Sequence, residues 1–135
     1  MILAVVGSRS LDSNDEAKRM AKAMIAYTLS DKEAVLYVSG GAVGPDKWGE
    51  EVADGLGIEK KIFYPNWSKY GRSAGFRRNQ TIVKTATFVM IFWDGVSKGT
   101  KHDIDLCKQY STEHILFIWN NEFKMFCCRD QEELR

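Results

Sequence analysis

The stretch that most constrains this chain is Val38-Ser39-Gly40-Gly41-Ala42-Val43-Gly44-Pro45-Asp46, where a strand runs into a glycine-rich turn and then a helix. Before it, Ala34-Val35-Leu36-Tyr37-Val38 is a short apolar run, the pattern of a buried strand. Pro45 fits the first helical position, where its missing N–H costs nothing. Trp48, Val52, Ala53 and Leu56 then fall on one helical face. Gly40 and Gly41 permit positive φ and let a ligand come close to the backbone. The N–H groups at the helix start favour an anion. A tight turn accounts for the same glycines. What favours a site is recurrence, because three strand ends carry such a turn.

Ile2 to Val6 is a continuous apolar run, as expected of a strand covered on both faces, and it ends in Gly7-Ser8-Arg9-Ser10. Ser13-Asn14-Asp15-Glu16 reads as a capping box. The helix after it carries Ala17, Met20, Ala21, Met24, Ile25, Thr28 and Leu29 on one face, with Lys18, Lys22 and Lys32 off it. Gly55 and Gly57 mark the end of the second helix. Glu59 to Phe63 reads as a third strand, followed by the polar, aromatic loop Tyr64 to Arg72.

A third helix is expected over about Ser73 to Ala86, presenting Phe76, Ile82, Val83 and Ala86. Thr87 to Trp93 is the strongest strand signal and ends in Asp94-Gly95-Val96-Ser97-Lys98-Gly99-Thr100. Thr100 to Asp103 can cap a fourth helix with Ile104, Cys107 and Tyr110 inward, and Ile115 to Trp119 reads as a fifth strand. The tail from Asn120 to Arg135 offers an extra strand or an oligomer contact. Alternating strands and helices imply an α/β fold, with a mostly parallel sheet of five to six strands and helices on both faces. At 135 residues the chain is read as a single domain, 1–135.

The formal net charge of +1 does not suggest a nucleic-acid coat or a polybasic anchor. Cys107, Cys127 and Cys128 have no metal-type spacing, and their odd number suits reduced thiols. The first residues lack the basic stretch and length of a signal peptide, and no run approaches the ~20 apolar residues of a bilayer span. A cytoplasmic protein with no membrane partner and no metal is expected.

In open α/β sheets ligands bind at the carboxyl ends of the strands. Gly7-Ser8-Arg9, Ser39-Gly40-Gly41-Ala42 and the Ser97-Lys98-Gly99-Thr100 turn converge there if their strands are parallel and central. Backbone N–H groups, hydroxyls, Arg9 and Lys98 then form a phosphate cradle. Neither glycine loop has Walker A spacing, which argues against an ordinary ATPase. From Arg77-Arg78-Asn79, one guanidinium is expected to reach the crevice for bidentate phosphate contact. Asp46 and Asp94 can accept hydrogen bonds from ribose hydroxyls, although Asp46 also suits a first helical turn. Trp67, Tyr70 and Trp93 can stack a base. His102 and His114 show no partner for a catalytic dyad, and Asp103 is read first as a helix cap.

Gly7-Ser8-Arg9, Ser39-Gly40-Gly41-Ala42-x-Gly44-x-Asp46, Trp67-x-x-Tyr70-Gly71, Ala74-Gly75-x-x-Arg78-Asn79 and Trp93-Asp94-Gly95-x-Ser97-Lys98-Gly99-Thr100 together resemble the YspA/YpsA-related branch of the SLOG superfamily. That superfamily is frequent in bacteria and phages and includes the DNA-processing protein DprA and the lonely-guy (LOG) phosphoribohydrolases. The resemblance spans about Met1 to Tyr110. It implies a Rossmann-like, three-layer α/β/α fold that binds a nucleotide or nucleotide-derived ligand.

The LOG arginine-lysine helix motif is similar to Arg78-Asn79, and the LOG glycine loop to Val96 through Asp103. That places Asp103 where the catalytic glutamate stands, one methylene shorter. Such a displacement of about 1 Å can cost ~100-fold in rate, so binding transfers better than catalysis. The leading expectation is therefore a sensor or sequestering protein for a nucleotide or ADP-ribose-like signal, in a phage setting one that counters host immune signalling. It needs no cofactor, forms a homo-oligomer and has a small molecule, not a nucleic acid, as its partner. The alternatives are a nucleoside 5′-monophosphate N-glycosidase with Asp103 as its catalytic residue, and DprA-like binding of single-stranded DNA.

Overall fold

The computed structural model describes residues 1–31 and 33–127; Lys32, Cys128 and the rest of the tail lie outside the described residues. Six strands form one sheet in the order β3-β2-β1-β4-β5-β6. They are β1 (Ile2–Gly7), β2 (Leu36–Ser39), β3 (Lys60–Ile62), β4 (Phe88–Trp93), β5 (His114–Trp119) and β6 (Phe123–Cys127). All neighbours are parallel except β5 and β6, which pair antiparallel with Phe117 opposite Met125. The four residues Leu3 to Val6 and the four from Val89 to Phe92 are buried, so β1 and β4 are covered on both faces, as their unbroken apolar runs require.

The helices are α1 (Asp15–Asp31), α2 (Pro45–Gly55), α3 (Trp67–Tyr70), α4 (Ala74–Thr85) and α5 (Lys98–Gln109). One core layer joins Ala21, Ile25 and Leu29 of α1 and Trp48 and Ala53 of α2 to Leu3, Tyr37 and Phe92 of the sheet. The other joins Ile82 and Val83 of α4 and Ile104 and Leu106 of α5 to Val6, Val38 and Ile91. The result is three layers, Rossmann-like, with the strand order reversing between β1 and β4. That reversal opens a crevice at the strands' carboxyl ends.

Several local expectations shift. Asn14 rather than Ser13 caps α1, accepting from the Ala17 N–H at 2.9 Å. Ser97 rather than Thr100 caps α5, which starts at Lys98. A 3-10 turn, Arg9–Ser13, follows β1, and the one-turn α3 lies within the aromatic loop. Leu56 lies beyond the C-terminus of α2 and is 46% exposed, and Phe76 turns outward to stack on His102 at 4.2 Å. No helix among the described residues is long and apolar enough to cross a membrane.

Close packing explains Gly7. A Cβ there would lie 2.2 Å from the Phe92 carbonyl oxygen and 2.6 Å from Pro45 Cγ, where β1, β4 and α2 meet. Around Gly55 the same atom would meet nothing within 4 Å. Gly7→Ala is expected to lose ~3 kcal/mol or more, and Gly55→Ala to change stability by less than ~1 kcal/mol. Urea unfolding of the two variants measures the contrast.

Candidate functional site

The cleft at the β1/β4 reversal is a cavity of about 420 Å³. Its walls hold three cations, Arg9, Arg78 and Lys98, and three carboxylates, Asp46, Asp94 and Asp103. Gly7, Ala42, Asn79, Ser97, Gly99 and Thr100 also line it. Trp93, half-buried, stands behind the turn and donates from Nε1 to the Ser97 carbonyl at 3.0 Å.

The first glycine turn is closed by the protein itself. The Gly40 N–H donates to Asp46 Oδ2 at 3.1 Å, the Ala42 N–H to the same oxygen at 3.5 Å, and the Gly41 N–H to Ser39 Oγ at 3.0 Å. Ser39 Oγ in turn donates to Glu50 Oε2 at 2.9 Å. An internal carboxylate thus occupies the position that the sequence pattern offers to a ligand anion. The turn is a scaffold that Asp46 closes through Oδ2, while the residue also lines the cleft.

Arg78 extends across this scaffold. Its Nη1 donates to the Gly40 carbonyl at 2.7 Å and its Nε to Asn79 Oδ1 at 2.7 Å. A Cβ on Gly40 would lie 2.7 Å from Nη1, so glycine is needed for the guanidinium to lie flat here. The planar fork is held in one orientation, with part of its donor edge left for the cleft.

The third turn is organised by Asp94. Its Oδ1 accepts from the Val96 and Ser97 N–H groups at 2.9 and 2.8 Å, and its Oδ2 from Ser10 Oγ at 2.7 Å. Burial raises its pKa, but these hydrogen bonds outweigh it and hold the carboxyl below the ordinary range. Ser8, buried, joins Ser97 and Thr100 in a hydroxyl network and accepts the Asp94 N–H at 3.0 Å. Lys98 and Gly99 then open α5, where N–H groups have no acceptor within the helix. Gly99 faces open space, since a Cβ would meet nothing within 4 Å. Positive dipole, Lys98 and Arg9 make this the anion-favouring end of the cleft.

Asp103 lies one turn further along α5. It is buried, and its Oδ1 has no hydrogen-bond partner among the described residues. Burial pushes its pKa up to about 8, the Asp46 carboxylate adds to the rise, and Arg78 opposes it. Asp46 is raised to about 6, again by burial, against Arg78 and the Ala42 and Gly40 N–H groups. At neutral pH the cleft therefore holds an ionised Asp94 and a protonated Asp103.

A second cavity, of about 290 Å³, lies between the loop after β3 and the face of α4. Tyr64, Tyr70, Arg77, Lys84 and the same Arg78 line it, and among the described residues no carboxylate does. Tyr70 carries Arg77 over its ring at 4.5 Å and Lys69 at 5.1 Å, while Trp67 stands outside both cavities. The motif reading passed over Lys84 and Tyr64, whose signal is an aromatic loop followed by basic residues at helical spacing. No group of three His, Cys, Asp or Glu side chains gathers for a metal among the described residues.

The ordinary carboxyl value of 3.8 for Asp103 lies far below its folded value of about 8, so the folded state holds the proton more tightly. The associated stability is fully present below about pH 4 and is lost as pH rises through about 8. Asp103→Asn is expected to remove a slope on the order of 5 kcal/mol over that window and to be the more stable protein at its upper end. Denaturant unfolding at a series of pH values measures this; parallel curves for the two proteins would contradict it.

No protein-family model matches the chain, and no curated protein sequence does. Two solved structures share its fold. DNA processing protein A from Helicobacter pylori, described for its single-stranded DNA binding mode, superposes with a TM-score of 0.71 at 18% identity, over 99% of this chain and 71% of that one. DNA processing protein A from Streptococcus pneumoniae gives 0.66 at 15% identity, over 87% of this chain and 50% of that one. The expectation from net charge that nucleic acid is no partner is corrected by these neighbours, one of them described as a single-stranded DNA binder. The cation count behind that expectation averages over a chain whose basic residues are unevenly placed. The chain is a Rossmann-like α/β protein with the fold seen in DNA processing protein A.

Proposed function

We propose that the strand-end cleft binds a nucleotide or nucleotide-derived ligand through its phosphate. The observation that carries this is the start of α5, where Lys98, Gly99 and Thr100 meet Arg9 and Arg78 around one cavity. The phosphate takes the Lys98 and Gly99 N–H groups and the neighbouring cations. Asp103, protonated at neutral pH, donates a hydrogen bond to a ligand oxygen. A neutral carboxyl does little for a developing oxocarbenium cation, so in this form Asp103 is placed to donate a hydrogen bond and not to stabilise a cationic sugar. The likeness to DNA processing protein A supports placement in the SLOG superfamily.

That likeness also supports a second reading, in which the phosphate belongs to single-stranded DNA. The second cavity beside the cleft, lined by Arg77, Arg78 and Lys84 and by no carboxylate among the described residues, favours it.

Calorimetric titration with AMP, ADP-ribose, ribose 5-phosphate and adenosine tests the phosphate requirement. Phosphorylated ligands are expected to bind and adenosine not to; adenosine binding as tightly as AMP would overturn the reading. Lys98→Ala is expected to weaken AMP about tenfold, the effect of one charge-assisted contact. Ionisation of Asp103 brings a negative charge beside the phosphate, so affinity falls as pH rises through about 8. Asp103→Asn is expected to abolish that fall.

A further inference from the structure

From Lys60 to Trp93 the chain carries seven lysines and arginines and no aspartate or glutamate. A charge of +7 here and +1 overall leaves −6 for the remainder. The fold gathers much of this segment around the second cavity, on the loop after β3, α3 and α4. Lys60 is paired with Asp54, and Arg78 faces the carboxylates of the cleft, but among the described residues no acid lines the second cavity beside Arg77 and Lys84. Unbalanced positive charge of this kind attracts a polyanion.

Aromatic side chains are interleaved with the charge. Lys61 lies over Phe63 at 5.0 Å, and Arg77 and Lys69 lie over Tyr70. Tyr64 is 75% exposed and lines the cavity, and among the described residues no cation lies over its ring. A bare aromatic face next to Arg77 and Lys84 matches what a nucleotide presents, a flat base joined to a phosphate. An acidic peptide would use the charge and leave the ring without a planar partner.

Arg78 supplies continuity. It lines both cavities, and its anchoring to Gly40 and Asn79 sets the guanidinium between them. One phosphodiester chain can therefore pass from the cleft into the second cavity. We infer that the second cavity takes the adjoining nucleotide of a single-stranded nucleic acid, with Tyr64 stacking the base and Arg77 and Lys84 holding phosphate. The inference rests on the single-stranded reading of the cleft. A duplex does not fit, since its bases present edges and not faces to a protein.

The test is fluorescence anisotropy with labelled oligothymidylate, its RNA counterpart and a duplex of the same length, beside AMP titration of the same proteins. Tyr64, Arg77 and Lys84 are exposed, so their alanine variants retain the core. The single strand is expected to bind, and to bind more tightly than the duplex. Tyr64→Ala should weaken it about tenfold, the loss of one base stack, while Tyr64→Phe retains affinity. The Arg77→Ala/Lys84→Ala double variant should flatten the dependence of log K on log salt by about 1.4, two phosphate contacts on a single strand.

AMP binding should be unchanged in all three variants, because none of these residues lines the cleft. Equal affinity for DNA and RNA strands, or preference for either, supports the site and names its source. Single strands that fail to bind, or bind equally well to Tyr64→Ala, overturn it whatever AMP does. Retained oligonucleotide binding with no AMP binding leaves this site standing and overturns the free-nucleotide reading of the cleft. Capture of acidic peptides at the expense of oligonucleotides would assign the cavity to a protein partner and overturn the inference.

Discussion

The cleft depends on one buried carboxylate. Asp46 accepts the Gly40 and Ala42 N–H groups, fixing the glycine turn against the start of α2. Taking that carboxylate out of water is costly, as its pKa of about 6 shows, and the two N–H groups and Arg78 offset part of the cost. With the turn fixed, the Gly40 carbonyl becomes a stationary acceptor for Arg78, so α4 is tied to β2 through a side chain and a backbone oxygen. Tyr37 Oη, in the core layer that holds α2, donates to the Asp46 carbonyl at 2.9 Å. Two layers and two helices therefore meet on residue 46.

The same arrangement decides which turn keeps open N–H groups. Anion-binding nests work by presenting several N–H groups to one negative group. In the β2 turn that negative group is already covalently part of the chain. The start of α5 remains open because Asp94 takes the Ser10 hydroxyl and the N–H groups of Val96 and Ser97, the residues before the helix, and Ser97 Oγ takes Thr100. Among the described residues, what is left uncapped is the pair Lys98 and Gly99. Tight turns and open turns share a composition and differ in which carboxylate reaches them.

That difference explains what was legible in the sequence. The parallel sheet and the helices on both faces were readable because long, unbroken apolar runs such as Phe88–Trp93 leave little choice of environment. The convergence of the Gly7, Ser39 and Ser97 turns followed from topology alone. Which N–H groups stay open did not, since Asp46 is as good a ribose acceptor as a turn closer until its neighbours are in place. Capping by Asn14 in place of Ser13 was a one-residue ambiguity between two good cap residues. The second cavity was hidden because Tyr64 and Lys84 are twenty positions apart and meet only through the fold. Overall charge concealed it further, as acids elsewhere cancel the basic segment.

The two cavities ask different things of a ligand because their charge is organised differently. In the cleft, three cations stand among two ionised carboxylates and a protonated Asp103, so opposed charges weaken the field and hydrogen-bond geometry and the Asp103 proton decide what fits. In the second cavity, cations of one sign stand at the surface, where attraction is long-ranged and salt-sensitive. Arg78 lies where the two regimes meet, with Arg77 and Lys84 on one side and the start of α5 on the other. Arg78 can serve both because Asn79 and Gly40 hold it rigid. A flexible lysine in its place would turn toward whichever cavity was more negative and would uncouple them.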